Sequence, residues 1–182
     1  MSARPLIELE AGLAEIRRSP ADDGILRLIV RRPAVDEREL VEAARLDTDQ
    51  GLVGDSWRAR GSKRTADGSA DPEAQVTLMN ARVATLLAGS PDDWSVAGDQ
   101  LYVDLDLAES NLPIGTRLAI GDAVLEVSAA PHTGCAKFSG RFGVDALRFV
   151  STPEGRELRL RGMNTRVVRG GTIALGDVVT KA

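Results

Sequence analysis

The chain carries one histidine and one cysteine, and they stand three residues apart in Pro131-His132-Thr133-Gly134-Cys135-Ala136-Lys137-Phe138. A thiol is inert until ionised, and an imidazole or ammonium group beside it lowers its pKa by stabilising the thiolate. His132 and Lys137 both flank Cys135 closely enough in sequence to do so. The plainer reading is a small buried cysteine beside a turn histidine. Structural zinc asks for four ligands, and one Cys with one His falls short of that. A Cys-His hydrolase pairs a thiolate with an imidazole. Its nucleophile and base commonly come from distant segments, however, and no third residue to orient His132 can be named. A soft thiolate also suits a soft metal centre, where one cysteine suffices if a cofactor brings the other ligands.

Such a loop needs a scaffold, and 182 residues are enough for one domain with a substantial core. Apolar residues make up 43% and aromatic ones 3%, so Val, Leu, Ile and Ala must fill the interior. A net charge of −4 argues against general binding to nucleic acid or an anionic membrane, so any basic site must be local. Of the 23 basic residues only Lys63, Lys137 and Lys181 are lysines, which singles out the lysine beside the cysteine. One cysteine excludes an internal disulfide framework, and no leader pattern or membrane-length apolar run is visible, so a cytoplasmic setting is expected.

Leu6, Leu9, Leu13 and Ile16 fall at spacings of three and four, which predicts an amphipathic helix ended by Pro20. Residues 1–20 therefore read as a helical extension on a domain spanning 24–182. Gly24 to Arg32 predicts the first strand. Asp36 and Glu39 resemble a capping box, yet an extended reading stays open there. Gly51 to Gln75 lacks apolar periodicity and reads as a long loop with Arg58, Arg60, Lys63 and Arg64. Gln75 to Met79 predicts a strand and Asn80 the cap of a helix ended by Gly89. Gly-Asp dipeptides at 54, 98, 121 and 176 mark tight turns, where aspartate more often stabilises the turn than ligates. Those at 121 and 176 each predict a hairpin. A short helix is expected over Val144, Leu147 and Val150, then strands over Leu158-Leu160 and Arg166-Val168. Many short strands with few helices indicate a mainly β, α+β fold built on a β-barrel.

The chain resembles MOSC domains, the C-terminal module of molybdenum-cofactor sulfurases. The resemblance rests on ordered motifs: Gly51-Leu52-Val53-Gly54-Asp55, Gln75-Val76-Thr77-Leu78, Ala97-Gly98-Asp99-Gln100-Leu101, Leu112-Pro113-Ile114-Gly115-Thr116-Arg117-Leu118-Ala119-Ile120-Gly121, and the segment from Pro131 to Phe138. It runs from about Ile25 to Val179 and implies a MOSC-type β-barrel with a cleft for molybdenum cofactor (molybdopterin). It also implies that Cys135 ligates molybdenum or carries sulfur.

Around that cysteine, His132, Lys137 and Arg141 would serve by charge and proximity. Asp99 matches the family's acid position, and Arg58, Arg60, Lys63 or Arg64 would grip an anionic pterin phosphate if the long loop folds over the cleft. A plainer role for Arg141 is an ion pair with Asp145 on the short helix. Two departures stand out: Trp57 where many members have histidine, and Asp99-Gln100 where many have Glu-Asn. The sulfurase's pyridoxal-phosphate domain is missing, so sulfur or cofactor would arrive from elsewhere. Three functions follow from the resemblance: oxygen-atom or electron transfer on a small, N-hydroxylated substrate, a sulfur carrier through a Cys135 persulfide, or a non-catalytic accessory module. The first needs a separate electron-donor protein, since no flavin, haem or iron-sulfur motif is present. The second needs a sulfurtransferase as donor.

Overall fold

The structure, a computed structural model, describes residues 3–182. Two short helices, α1 (Leu6–Ala11) and α2 (Leu13–Ile16), open the chain, broken at Gly12 rather than running on to Pro20. Gly12 packs against Leu86, where a Cβ would sit 2.6 Å from the leucine methyls. Leu9 and Ile16 are buried by this docking.

Strands β1 (Gly24–Arg31), β2 (Glu39–Val41), β3 (Ala43–Asp47) and β4 (Gly51–Leu52) follow, so the segment after Asp36 takes the extended alternative. Helix α3 (Trp57–Arg60) and a 3-10 turn at Pro72–Ala74 interrupt the expected loop. Trp57 gives that stretch its order, because its indole is buried against Gly51. Then come β5 (Val76–Asn80), α4 (Ala81–Ala88), a 3-10 segment Pro91–Ala97 and β6 (Leu101–Asp104). Asn80 caps α4 as anticipated, its side chain accepting from Arg82 N and Val83 N. Strands β7 (Arg117–Ile120) and β8 (Ala123–Val127) precede three helices, α5 (Ala136–Phe142), α6 (Val144–Ser151) and α7 (Pro153–Glu157). Strands β9 (Met163–Arg169), β10 (Gly171–Ala174) and β11 (Val178–Lys181) complete the chain.

Seven strands close a mixed barrel in the order β11-β7-β8-β9-β5-β6-β1, sealed by the β1–β11 pairing, with β2 added outside β1. Among the described strands only β5 and β6 run parallel, and α4 makes the crossover between them. A separate sheet, β10-β3-β4, lies beside the barrel.

The barrel interior is aliphatic, as the composition demands, with Leu26, Leu78, Leu101, Leu125 and Val167 among its residues. The scarce aromatics go elsewhere. Trp94, Tyr102, Phe138, Phe142 and Phe149 all join a second cluster between the barrel wall and the helices. Strand alternation divides the two: Leu101 and Val103 face the barrel, while Tyr102 between them faces the helices. Strands β5 and β6 are thus covered on both faces, which is why β5 reads as a continuous buried run.

Two further sequence expectations fail for identifiable reasons. Leu158-Leu160 is not a strand but the tight exit of α7, where Leu160 N donates to Gly155 O and Gly162 N to Arg159 O. Gly121-Asp122 does join a β7–β8 hairpin, but Gly176-Asp177 joins β10 and β11, which lie in different sheets. The barrel captures β11 as its closing strand, so the second echo has hairpin residues without hairpin pairing.

Candidate functional site

The segment from Ser128 to Cys135 leaves the end of β8 without regular structure and enters α5. Its backbone is tied down at three places. Ser128 Oγ donates to the carbonyls of Glu73 and Asn164, Asn164 Nδ2 donates to Ala130 O at 3.1 Å, and Arg64 donates to Pro131 O at 3.2 and 3.3 Å. Thus the basic loop does reach the His-Cys segment, through Arg64 rather than through Arg58. Cys135 is exposed and takes the N-cap position of α5.

Cys135 opens onto a cavity of ≈ 230 Å³. Arg32, Arg38, Arg60, Lys137, Arg141 and Arg161 line it, with His132 and Gly98. Asp36 is the acid in its lining, while Asp55 and Asp99 lie behind it, paired with Arg32 and Arg161. Six cations against three carboxylates leave the cavity positive within a chain of net charge −4. Mutual crowding shows in Arg38, whose pKa is lowered by burial and then by the guanidinium groups of Arg141 and Arg32. Such convergence of fixed donors is a receptacle for an anion.

Two buried carboxylates hold this array. Asp55 has a fully buried side chain and accepts from Arg32 N at 3.0 Å, Arg32 Nε at 2.8 Å, Arg32 Nη2 at 3.0 Å and Trp57 N at 2.9 Å. The other Arg32 arm donates to Gly98 O at 2.9 Å. Asp99 is fully buried and accepts from Arg161 Nη1 and His132 Nε2, each at 2.7 Å. Burial alone would raise the Asp99 pKa, but Arg161 and then His132 more than offset it and hold the group at about 2. His132 moves down from its usual value through burial and then the repulsion of Arg161. Asp99 is therefore a pure acceptor, Nε2 carries the imidazole proton, and Nδ1 keeps its lone pair. Arg161 also lies 5.0 Å over the Phe138 ring, clamping α5 to the same network.

Gly98 sits in the middle of the guanidinium groups with φ +93, and a Cβ there would approach Arg141 Nη1 to 3.2 Å. Any side chain there would be strained at that φ and would crowd Arg141.

The sequence-predicted residues separate accordingly. His132, Cys135, Lys137, Arg141 and Arg60 gather on one cavity. Arg58 does not join them; it is exposed and donates to Asp49 O at 3.2 Å. Asp99 does not line the cavity but acts on it through Arg161 and His132. Arg141 donates to Val96 O at 3.0 Å and lies 3.5 Å from Asp36, while Asp145 instead accepts from Leu6 N and faces Arg148. His132 bonds Asp99, leaving the expected His132–Cys135 pairing without a hydrogen bond. The two family departures are both structural: Trp57 packs under the loop, and Gln100 Oε1 accepts from Thr77 N and Oγ1 inside the barrel wall.

Arg32, Arg38 and Arg161 escaped the sequence reading. The arginine excess was their only signal, since each comes from a different segment and is brought in by β1, the following loop and the exit of α7. Among the described residues, no three His, Cys, Asp or Glu side chains cluster to hold a metal ion by themselves. Among the described residues no helix is long and apolar enough to cross a membrane.

The comparisons with known proteins agree with this architecture. YuaD from Bacillus subtilis superposes with a TM-score of 0.63 at 15% identity, over 86% of this chain and 94% of that one. YiiM from Escherichia coli gives 0.57 at 17% identity over 87% and 69% of the two chains. YiiM from Geobacillus stearothermophilus gives 0.56 at 15% over 90% and 74%. No curated protein matches the chain by sequence. These likenesses fix the fold alone, but the sequence profile of the MOSC domain matches residues 66–180, well over half of the chain and the part that carries Asp99, His132, Cys135 and Arg161. The chain belongs to the MOSC domain family.

Proposed function

We propose that the chain binds molybdenum cofactor in the cysteine cavity, with Cys135 as the protein's ligand to molybdenum. One observation carries this reading: the exposed Cys135 thiol and five guanidinium groups converge on a single cavity. The donor set fits the group at both ends. Its phosphate is an anion suited to Arg38, Arg60 and Arg141, and its metal is soft enough to favour a thiolate. The open floor at Gly98 leaves room between the guanidinium groups, and no competing ring of protein ligands surrounds the thiol. When bound, the cofactor supplies a molybdenum centre able to transfer an oxygen atom or electrons.

The residues of the chain do the rest. The Asp99–Arg161 pair fixes the wall, neutral His132 presents Nδ1 as an acceptor, and Lys137 adds a further cation to the cavity from the first turn of α5. Electrons reach such a site from a separate protein, and the substrate is a small molecule. Protein purified from a host that makes the cofactor should contain near-stoichiometric molybdenum and lose it with Cys135→Ser; metal-free protein from that host overturns the reading.

The exposure of Cys135 also supports a second reading, in which the thiolate accepts a sulfane sulfur from a desulfurase persulfide and passes it on. Mass spectrometry after incubation with a cysteine desulfurase and cysteine separates the two. A gain of one sulfur at Cys135 supports the carrier, and an unchanged mass removes it.

A further inference from the structure

A second and larger cavity, of ≈ 500 Å³, adjoins the same loop. It shares His132 and Arg161 with the cysteine cavity, but Pro131, Thr133 and Gly134 line only this one. The His132–Cys135 segment therefore runs between two chambers, with Cys135 on one and Thr133 and Gly134 on the other.

The larger chamber has its own charge pattern. Arg161 is already balanced by Asp99, at 2.7 Å. Of the remaining lining charges, Arg156 and Arg159 are positive and Glu109 negative, and Glu109 and then Glu157, just outside the lining, both act on Arg159. Arg159 spends Nη1 on the carbonyls of Leu112 at 2.7 Å and Leu107 at 3.3 Å, which pins it in the wall. It does so from a left-handed backbone, φ +46, a conformation unfavourable for arginine that the tight α7 exit enforces. Arg156 makes no side-chain hydrogen bond among the described residues. Arg161 Nε is buried without a partner, on a side chain only 10% exposed. Beside these donors the lining has apolar members: Val150, Met163, whose Sδ accepts from Arg159 Nη1 at 3.6 Å, and Ile114, which is 65% exposed.

We propose that this chamber binds a small organic monocarboxylate, its carboxylate held by Arg156 and Arg159 and its apolar body lying against Ile114, Val150 and Met163. With Glu109 and Glu157 drawing on Arg159, the donors suit a monoanion and not a phosphate dianion, and Ile114, Val150 and Met163 select a hydrocarbon body over a bare ion. The site is built from residues other than those that grip the cofactor, so it does not rest on the molybdenum reading.

Calorimetric titration of the purified protein with benzoate and hexanoate tests it, with benzamide and inorganic phosphate as controls. His132 is the only histidine, so its imidazole proton resonances report contact at the partition without assignment. Benzoate and hexanoate should bind and shift those resonances, whereas benzamide and phosphate should not compete. Arg156→Glu and Ile114→Glu, both at exposed positions, should each weaken binding roughly tenfold or more. Arg141→Gln, in the other cavity, should leave it within about twofold. Carboxylates that do not bind at millimolar concentration overturn the proposal. So does binding that survives Arg156→Glu but falls with Arg141→Gln, or equal binding of benzamide.

Discussion

Around Arg32, two of the four Gly-Asp dipeptides meet: Asp55 takes three bonds from Arg32, and Gly98 gives the same guanidinium its carbonyl. The other two meet as well, for Gly121 packs so tightly on the Asp177 carboxylate that a Cβ would lie 2.7 Å from Oδ2. There Asp177 accepts from Ala174 N at 2.7 Å, within its own turn. The dipeptides are identical, yet one pair builds a cationic cavity and the other closes β-turns. What separates them is the partner: an arginine from a distant segment buries the aspartate at the first region, while the local backbone satisfies it at the second. An ion pair enclosed in this way is costly to break from one side, whereas a turn hydrogen bond is replaced by water.

Removing the acids gives the largest contrast. Asp99→Ala or Asp55→Ala should cost about 3–5 kcal/mol, because each strands a buried guanidinium. Asp177→Ala should cost only about 1 kcal/mol. Denaturant unfolding measures both, and equal losses would break the comparison.

The glycines sharpen it at a smaller scale. Gly98 and Gly176 both have positive φ, so alanine at either should cost about 1–2 kcal/mol of backbone strain. Only Gly98→Ala meets Arg141, since Gly176 has open space around it. Molybdenum content should therefore fall in Gly98→Ala and stay at the parent level in Gly176→Ala.

The smallest effect is read at the single imidazole. Its native pKa lies below the unfolded value near 6.5, so the unfolded chain takes up the proton first and stability falls as pH drops through that range. Asp99 adds a further loss below its unfolded value of 3.8, continuing toward about 2. Because the Asp99 carboxylate supports the imidazolium, Asp99→Asn should lower the His132 pKa further. A rise in the proton NMR titration would show that the carboxylate is not what faces Nε2.

Several elements were readable because their determinants are local. Asn80 caps α4, Gly121 turns β7 into β8, and the apolar run over β5 makes a strand, each fixed by residues within a few positions. The His132–Cys135 segment likewise announced itself by residue type and spacing. The failures share one cause. Arg141 had Asp145 four residues on, but it turned to Val96 and Asp36, which the chain brings near only after folding. Arg58 and Arg60 differ by two residues on a short helix and point to opposite sides of it. The sequence of α7 and its exit has apolar spacing that suits a strand, yet packing of Leu160 into the aromatic cluster forces a turn.

Taken alone, the sequence determined an aliphatic core, a set of short strands and turns, the family's ordered motifs and a cysteine marked for chemistry. These follow from composition and nearest-neighbour patterns, which act along the chain. Only the tertiary structure decided that the barrel closes through β11, that Asp55 and Asp99 are buried anchors rather than turn residues, and that Arg32, Arg38 and Arg161 face the thiol across one cavity. Those outcomes depend on contacts between segments tens of residues apart, and burial in the fold, which no local pattern encodes, sets the strength of each charge they bring together.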